Sequence, residues 1–470
     1  MIELRRQQLS FGEGLIAEEI TELQEPWMTH ADRLLEDEQL LTAVFEAMSK
    51  RCGKSRTRGR LGTPAEIVLR LLLLKHIRNW SYAVLEREVR ANLVYRDFTR
   101  VGAGKVPDAK TMGRWALALG PDVIQSLQAR MVALACTNKV VAGGKMRLDT
   151  TVVETNIHYP TDSNLMGDGV RVLIRTMKRI AGLAQQGVKL RDRSRTVKLR
   201  ILEIGRVART KGGPNRERLQ QGYEKLLAVV GRVVGQAKRF SREIADGVKR
   251  SADVMQQACL EGLRKELETF VPRVQQVMRQ AKQRVFGGNT HITQKLVSLF
   301  EPTTEVIRKG KAAKPTEFGK MVKIQEAENQ IITEYTVYEK RPSDSDLVIP
   351  ALDAHQQKLG RTPHLLTGDA AFYSAKNEST ATERGVKRVC LPNRSTKSAE
   401  RKRQQKKRWF RNGQKWRTGC EGRISLLKRR HGLSRCRYKG DDGMHRWVGL
   451  GVIADNLINI GRFLASNTAS

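Results

Sequence analysis

Two aspartates in this 470-residue chain stand where predicted strands end: Asp149 in Leu148-Asp149-Thr150-Thr151, and Asp369 in Leu365-Leu366-Thr367-Gly368-Asp369. Loops after strands are where α/β sheets place reacting groups. An aspartate at a strand end also commonly caps a turn or a helix, so neither residue persuades by itself. A third acid, Glu421, lies in Trp416-Arg417-Thr418-Gly419-Cys420-Glu421-Gly422-Arg423. Between residues 397 and 439 there are seventeen Lys/Arg and only two acids, Glu400 and Glu421, an odd place for an acid that serves solubility alone. At about 100° per residue Arg417, Glu421, Ile424 and Lys428 share one helix face, although Gly419 and Gly422 weaken a helix there. The plainest reading of that face is a surface i,i+4 ion pair.

Carboxylates gathered from distant positions suit hard divalent cations. Two such ions about 3.5–4 Å apart lower the pKa of an attacking water and neutralise a leaving oxygen, which is what an anionic phosphodiester needs. The eight histidines show no HExxH or similar spacing, which argues against a zinc hydrolase. No GxxxxGK[ST] loop is present, and the Lys309-Gly310-Lys311 turn has too little glycine to cradle a phosphate.

The elements that must position these acids can be read from pattern. Thr63-Pro64-Ala65-Glu66 predicts a helix start, with Thr63 as cap and Pro64 in the first turn, ahead of the apolar stretch Ile67 to Leu74. A second helix follows Ser81 and a third follows Pro107-Asp108, a helix-turn-helix-like bundle with Arg scattered through it. The stretch around Met146 to Val153 is expected as the first strand. From Asp168 to about Gln283 the pattern is helical, with Leu226, Val230, Val233 and Val234 at helical spacing and breaks at Gly212-Gly213-Pro214 and Pro272. Val322 to Gln325 and Ile331 to Val337 alternate with period two, predicting an antiparallel hairpin. A helix over Leu347 to Leu359, strands at His364 to Thr367 and Val386 to Leu391, and a very basic helical region complete a mixed α/β order.

Composition bounds the partners. The chain carries 86 Lys+Arg against 49 Asp+Glu, a net charge of +37 and a pI near 10.4, an excess that seeks a polyanion. The longest uninterrupted apolar run is Met131 to Cys136, far short of the ~18 residues of a spanning helix, so no membrane partner is expected. The start of the chain leads into no apolar signal region, and the six cysteines form no CxxC pair. These features predict a reduced, cytoplasmic protein associated with nucleic acid.

Taken together, the pieces resemble the insertion-sequence transposases of the DDE type. The resemblance rests on LDTTVVETN at 148–156, EPTTEVIRKGK at 301–311 with EFGK at 317–320, LLTGDAAFY at 365–373 and RTGCEGRISLLKRRHGL at 417–433. In the N-terminal part it rests on TPAEIVLRLLLLKHIRNWSY at 63–82 and PDAKTMGRW at 107–115. It covers most of residues 60 to 465 and is weakest over the helical segment.

By position, the resemblance implies that Asp149, Asp369 and Glu421 are the catalytic triad and hold two Mg²⁺, for which Mn²⁺ substitutes. Arg417 and Lys428 match an Arg-x3-Glu-x6-Lys signature and would contact DNA phosphates, with Arg401, Lys402 and Arg403 adding sequence-independent affinity. The Tyr that often stands three residues before that Arg is Gln414 here. The implied fold is α/β: an RNase H-like mixed sheet with a helical N-terminal DNA-binding head and a large all-helical insertion. The expected division is an N-terminal arm with a basic tract (1–60), the head (61–140), the catalytic domain (141–167 and 289–465) and the insertion (168–288). The implied activity is cutting at element ends and joining the 3′-OH to target DNA. Its partners would be double-stranded DNA, in the form of terminal repeats and target, and further copies of the chain assembled on that DNA. An inactive DNA-binding regulator and a metal-dependent nuclease that never joins strands are the alternatives.

Overall fold

The computed structural model describes residues 2–5, 20, 22–50, 62–183, 190–210, 215–248, 253–308 and 315–468. The basic tract at 51–60, Gly212-Gly213-Pro214 and Lys309-Gly310-Lys311 lie outside the described residues. The chain divides into two units, one formed by Met1–Asn156 with Lys309–Ser470 and one by Ile157–Arg308. The second is therefore inserted between strands of the first, somewhat wider than the expected 168–288.

Within the first unit, the Ala65–Ile77 helix is buried along its whole length. Its start is not capped by Thr63: Pro64 holds the cap position without a side-chain bond, and the amides of Ala65 and Glu66 donate to the carbonyls of Glu3 and Leu4. Backbone from the chain's beginning thus satisfies donors that a hydroxyl was expected to satisfy. Glu66 instead accepts from the buried Arg70, whose guanidinium also reaches Asp32 and the Phe98 carbonyl. The other two helices predicted here start as expected, Tyr82–Ala91 with the Ser81 hydroxyl accepting from Val84 N–H and Ala109–Ala118 with Asp108 accepting from Thr111 N–H, with a short helix Leu93–Phe98 between them.

Two departures reshape the head. Residues 26–49, assigned to an arm, form the helices Pro26–Leu34 and Glu38–Ser49, with Trp27, Met28, Leu40, Leu41 and Val44 in the core. The long C-terminal helix, Gly440–Thr468, sends Leu450, Ile453, Leu457 and Ile460 into that same core. Gly461 permits the approach, since a Cβ there would stand 2.5 Å from the Trp27 carbonyl. This helix is long and apolar enough to cross a membrane, but 72% of its most apolar stretch is buried, the pattern of a core helix.

Six strands occur among the described residues: β1 (Lys145–Glu154), β2 (Glu305–Arg308), β3 (Thr316–Glu326), β4 (Ile332–Val337), β5 (Leu365–Thr367) and β6 (Arg388–Cys390). In the first unit β1 is central. It pairs antiparallel with β3, Asp149 opposite Ile324, and parallel with β5, Arg147 opposite Thr367. β6 lies parallel to β5, and β4 forms the predicted antiparallel hairpin with β3. The result is a mixed sheet in an α/β unit. From Gly319 to Glu326 β3 is buried at every residue rather than alternately, because it is an interior strand with cover on both faces. Ile324, Ile332 and Tyr335 pack against Leu427, Leu433, Trp447 and Val452 of the C-terminal segment.

The second unit is helical, with helices Asp162–Leu183, Ser194–Arg209, Asn215–Val248 and Val254–Val285. Met166, Val170 and Leu173 of the first meet Leu226, Val230 and Val233 of the third and Leu263, Leu267 and Val274 of the fourth. Gly169 allows the close crossing, since a Cβ there would lie 2.3 Å from Val274. Pro272 sits inside the last helix without ending it.

Candidate active site

Asp149 projects from the middle of the sheet on β1, half-buried, with its Oδ1 accepting from the Thr150 amide at 2.7 Å. Asp369 follows β5, also half-buried, and its Oδ1 accepts from Ala371 N–H at 2.8 Å, so it does cap the Ala370–Phe372 turn. A cap uses one carboxylate oxygen and leaves lone pairs on both for other partners. The parallel pairing runs as far as Arg147 opposite Thr367, and each aspartate follows two residues later, Asp149 still within β1 and Asp369 past the end of β5.

Glu421 is carried by the helix Arg408–Arg430, which runs unbroken through Gly419 and Gly422. Packing overrides the modest intrinsic cost of glycine. The helix is fixed at three levels, twice to the sheet and once to the C-terminal helix. Near its start, Gln414 Nε2 donates to the carbonyls of Cys390 (3.0 Å) and Gly368 (3.4 Å), tying the ends of β6 and β5 beside Asp369. In the middle, the buried Arg147 of β1 pairs with Glu326 of β3 and donates to the Trp416 carbonyl, its guanidinium 4.7 Å from the Trp416 ring centroid. Farther on, the buried Arg423 pairs with Asp455 at 2.9 Å, and Asp455 also faces His431 at 3.5 Å. Breaking either pair leaves an uncompensated buried charge, which costs about 3–5 kcal/mol. The position of Glu421 is thus set by neighbours that are themselves locked.

The Glu421 carboxylate is exposed and pairs with Arg417 at 2.9 Å, the i,i+4 contact that the sequence spacing predicts. Arg417 is largely buried, and its Nε has no hydrogen-bond partner. Cys420, one residue before Glu421, is pushed well above the usual thiol range, first by burial and then by the charges of Glu326 and Asp149. Asp149 therefore lies within electrostatic reach of this turn of the helix. Among the described residues no three His, Cys, Asp or Glu are gathered as a ready metal site. The two aspartates, one within β1 and one just after β5, supply hard oxygen donors, while Glu421 is held by Arg417.

The basic residues fall into different environments. Lys402 and Arg403 are exposed and Lys428 is half-buried. Arg401 departs from its expected role as a DNA contact: it is 9% exposed, pairs with Glu378, donates to the Leu391 carbonyl, and lies over the Tyr373 and Phe410 rings. Its guanidinium is consumed in fastening the Ala399–Lys406 helix to the strand end, leaving little for a phosphate.

Sequence reasoning passed over Asp344, whose Oδ1 accepts from the Thr150 hydroxyl at 3.0 Å, next to Asp149. Asn377 holds that turn in place, donating to the carbonyls of Ser345 (2.7 Å) and Phe372 (3.0 Å). The available signal was Ser343-Asp344-Ser345-Asp346 ahead of an apolar helix. The five cysteines among the described residues are free thiols.

Two family models match the chain. One, a transposase domain (DUF772), covers residues 19–116, the helices of the head. The other, a transposase DDE domain, covers residues 375–460, which include Arg417, Glu421 and Lys428 but neither Asp149 nor Asp369. No curated protein and no solved structure matches.

Proposed function

We infer that this chain, an insertion-sequence DDE transposase by the two domains it matches, cuts DNA at the ends of an insertion element and joins the freed 3′-OH to target DNA. The observation that carries this reading is the pairing of β1 with β5, in which Arg147 lies opposite Thr367 and each aspartate follows two residues later, together with the packing of the Glu421 helix on both strands. The strand order β4-β3-β1-β5-β6, antiparallel on one side of β1 and parallel on the other, supports an RNase H-like catalytic domain.

Asp149 and Asp369 would hold a divalent cation such as Mg²⁺ through hard oxygen donors. Such an ion, when bound, lowers the pKa of a nucleophilic water and neutralises a leaving oxygen. Glu421 would complete the ligand set on release from Arg417, whose guanidinium would then be available to a DNA phosphate. Gln414 and Arg147 would hold the helix and strand ends so that scissile phosphate and acids keep their alignment. Exposed Lys402 and Arg403 would add backbone affinity, and the helical head would hold the element end. Two copies of the chain on paired ends would supply the two sites needed for joining.

The test is to incubate the protein with Mg²⁺ and duplexes carrying candidate element ends, then map products. Joined strands are the expected outcome. Cleavage without joining would leave a nuclease, and end binding without cleavage would leave a regulator.

A further inference from the structure

The helical unit contains a cleft of about 720 Å³ between the segment before its Ser194–Arg209 helix and the face of its Asn215–Val248 helix. Four arginines line it, Arg191 and Arg193 from the segment and Arg232 and Arg239 from the helix, and no carboxylate does. Nearby acids are engaged elsewhere or at the margin. Asp192 pairs with Lys178 at 2.7 Å and accepts from Ser194 N–H, and Glu243 reaches only Arg239, at 3.5 Å. Gathering four like charges with a counter-charge only at the margin costs free energy that a bound anion would recover. The cost is visible at Arg193, held below the ordinary guanidinium value by desolvation and then by Arg191 and Arg232.

The floor of the cleft is Gly235, where an added Cβ would meet nothing within 4 Å. It lies between Arg232 and Arg239 on the helix, so bare backbone separates the two guanidinium groups and leaves room for a ligand. The Gln236 amide, oriented to satisfy both its atoms, accepts from Arg191 N–H at 2.9 Å and donates to the Arg191 carbonyl at 3.2 Å, fixing that segment to the helix.

We propose that the Arg191, Arg193, Arg232 and Arg239 cleft binds the phosphodiester backbone of DNA. Guanidinium groups recognise phosphate oxygens in bidentate fashion. Among the described residues the lining has no aromatic side chain to stack on a base and no carboxylate to accept from a sugar hydroxyl, which favours backbone over a free nucleotide. The proposal rests on the reading of the chain as a protein that acts on DNA.

The experiment measures duplex affinity of the full chain against salt, for the parent and for Arg193→Gln/Arg232→Gln. Each phosphate contact contributes about 0.9 to the slope of log K against log salt. Loss of two contacts should lower that slope by about 1.8. The variant should melt no lower than the parent, since like charges have been removed. A second variant, Gly235→Glu, places an anion on the open floor and replaces a helix glycine by a better helix former. It should weaken duplex binding in the same way. Parent affinity and slope in both variants would overturn the proposal while leaving the DNA-acting reading intact. Inorganic phosphate that displaces duplex at equal ionic strength through these arginines alone would make it a free-anion site and overturn the backbone assignment. A parent chain that binds no DNA would defeat the underlying reading itself.

Discussion

Gly419 lies so close to Arg147 that a methyl in place of its α-hydrogen would stand 2.4 Å from the guanidinium Nη1. The end of an arginine usually moves aside at little cost. Here it is held by Glu326 and by the Trp416 carbonyl, so the helix would have to move instead. Glu421 is two residues farther along that helix. The glycine that weakens the helix by propensity is thus what lets it lie on β1, and through it a buried ion pair in the sheet helps set the reach of a proposed catalytic acid.

Gly419→Ala and Gly422→Ala should therefore differ in sign. At Gly422 a Cβ meets nothing within 4 Å, and the gain in helix propensity should stabilise the protein by about 0.5–1 kcal/mol. At Gly419 the overlap should outweigh that gain and destabilise by about 1–3 kcal/mol. Cleavage should fall further than duplex binding does. Denaturant melts and cleavage rates on the same preparations check both, and equal stabilisation at the two sites would contradict the brace.

The acids themselves should be separable from the fold. Asp149→Asn, Asp369→Asn and Glu421→Gln should each reduce cleavage by about 10³-fold or more, the scale of lost transition-state charge stabilisation. Duplex affinity should stay near that of the parent. Asp369→Asn keeps an acceptor for Ala371 N–H, whereas Asp369→Ala should also cost about 1 kcal/mol through the lost cap. Cleavage at the parent rate by any one purified variant would remove that residue from the proposed set.

Much of this architecture is visible in local pattern. The hairpin follows from the alternation at Ile331, Thr333, Tyr335 and Val337, and Ser81 and Asp108 cap the helices they precede. What local pattern misses are contacts made over long separations. Thr63 has the right type for a cap, but the backbone of Glu3 and Leu4 arrives first. Arg401 stands in a basic run and reads as solvated, yet Tyr373, Glu378 and Leu391 enclose it. The pairing of β1 with β5, just before Asp149 and Asp369, joins strands with more than two hundred residues of chain between them, and no periodicity specifies it. Predicted strand ends singled out those two acids in the sequence, and the resemblance assigned them a shared role.

The shared core of the head has its own consequence. A fragment of residues 1–140 lacks the C-terminal helix, and so leaves the faces that meet Leu450, Ile453, Leu457 and Ile460 open to water. Each such side chain contributes about 1.5–3 kcal/mol when buried, in sum comparable with the whole margin of a typical domain. The fragment should show no cooperative thermal transition. A chain in which residues 440–468 are joined to it by a flexible linker should regain one. A sharp melt by the fragment alone would mean that the head is independent after all.

Lys75 predicts a pH dependence of stability. It is 2% exposed on the Ala65–Ile77 helix, with the rings of Trp447, Tyr82 and Tyr438 at 4.5, 5.0 and 5.1 Å and, among the described residues, no acid paired with it. The aromatic faces attract its cation, but desolvation wins, helped by Arg437 and opposed by Cys436, and its pKa is lowered from 10.5 to about 7. Between those values the unfolded chain binds the proton and the folded chain does not, so raising the pH favours folding. Stability should climb from about pH 7 toward pH 10, with a slope from this one group approaching 1.4 kcal/mol per pH unit. Neighbouring His76, held well below 6.5 by burial and by Lys75, acts in a lower window, where stability falls as the pH drops below 6.5. Lys75→Met should keep the helix packed and remove the rise above pH 7 while leaving the fall below 6.5. Urea melts from pH 6 to pH 10 on both proteins measure this directly, and an unchanged slope in the variant would place the titrating group elsewhere.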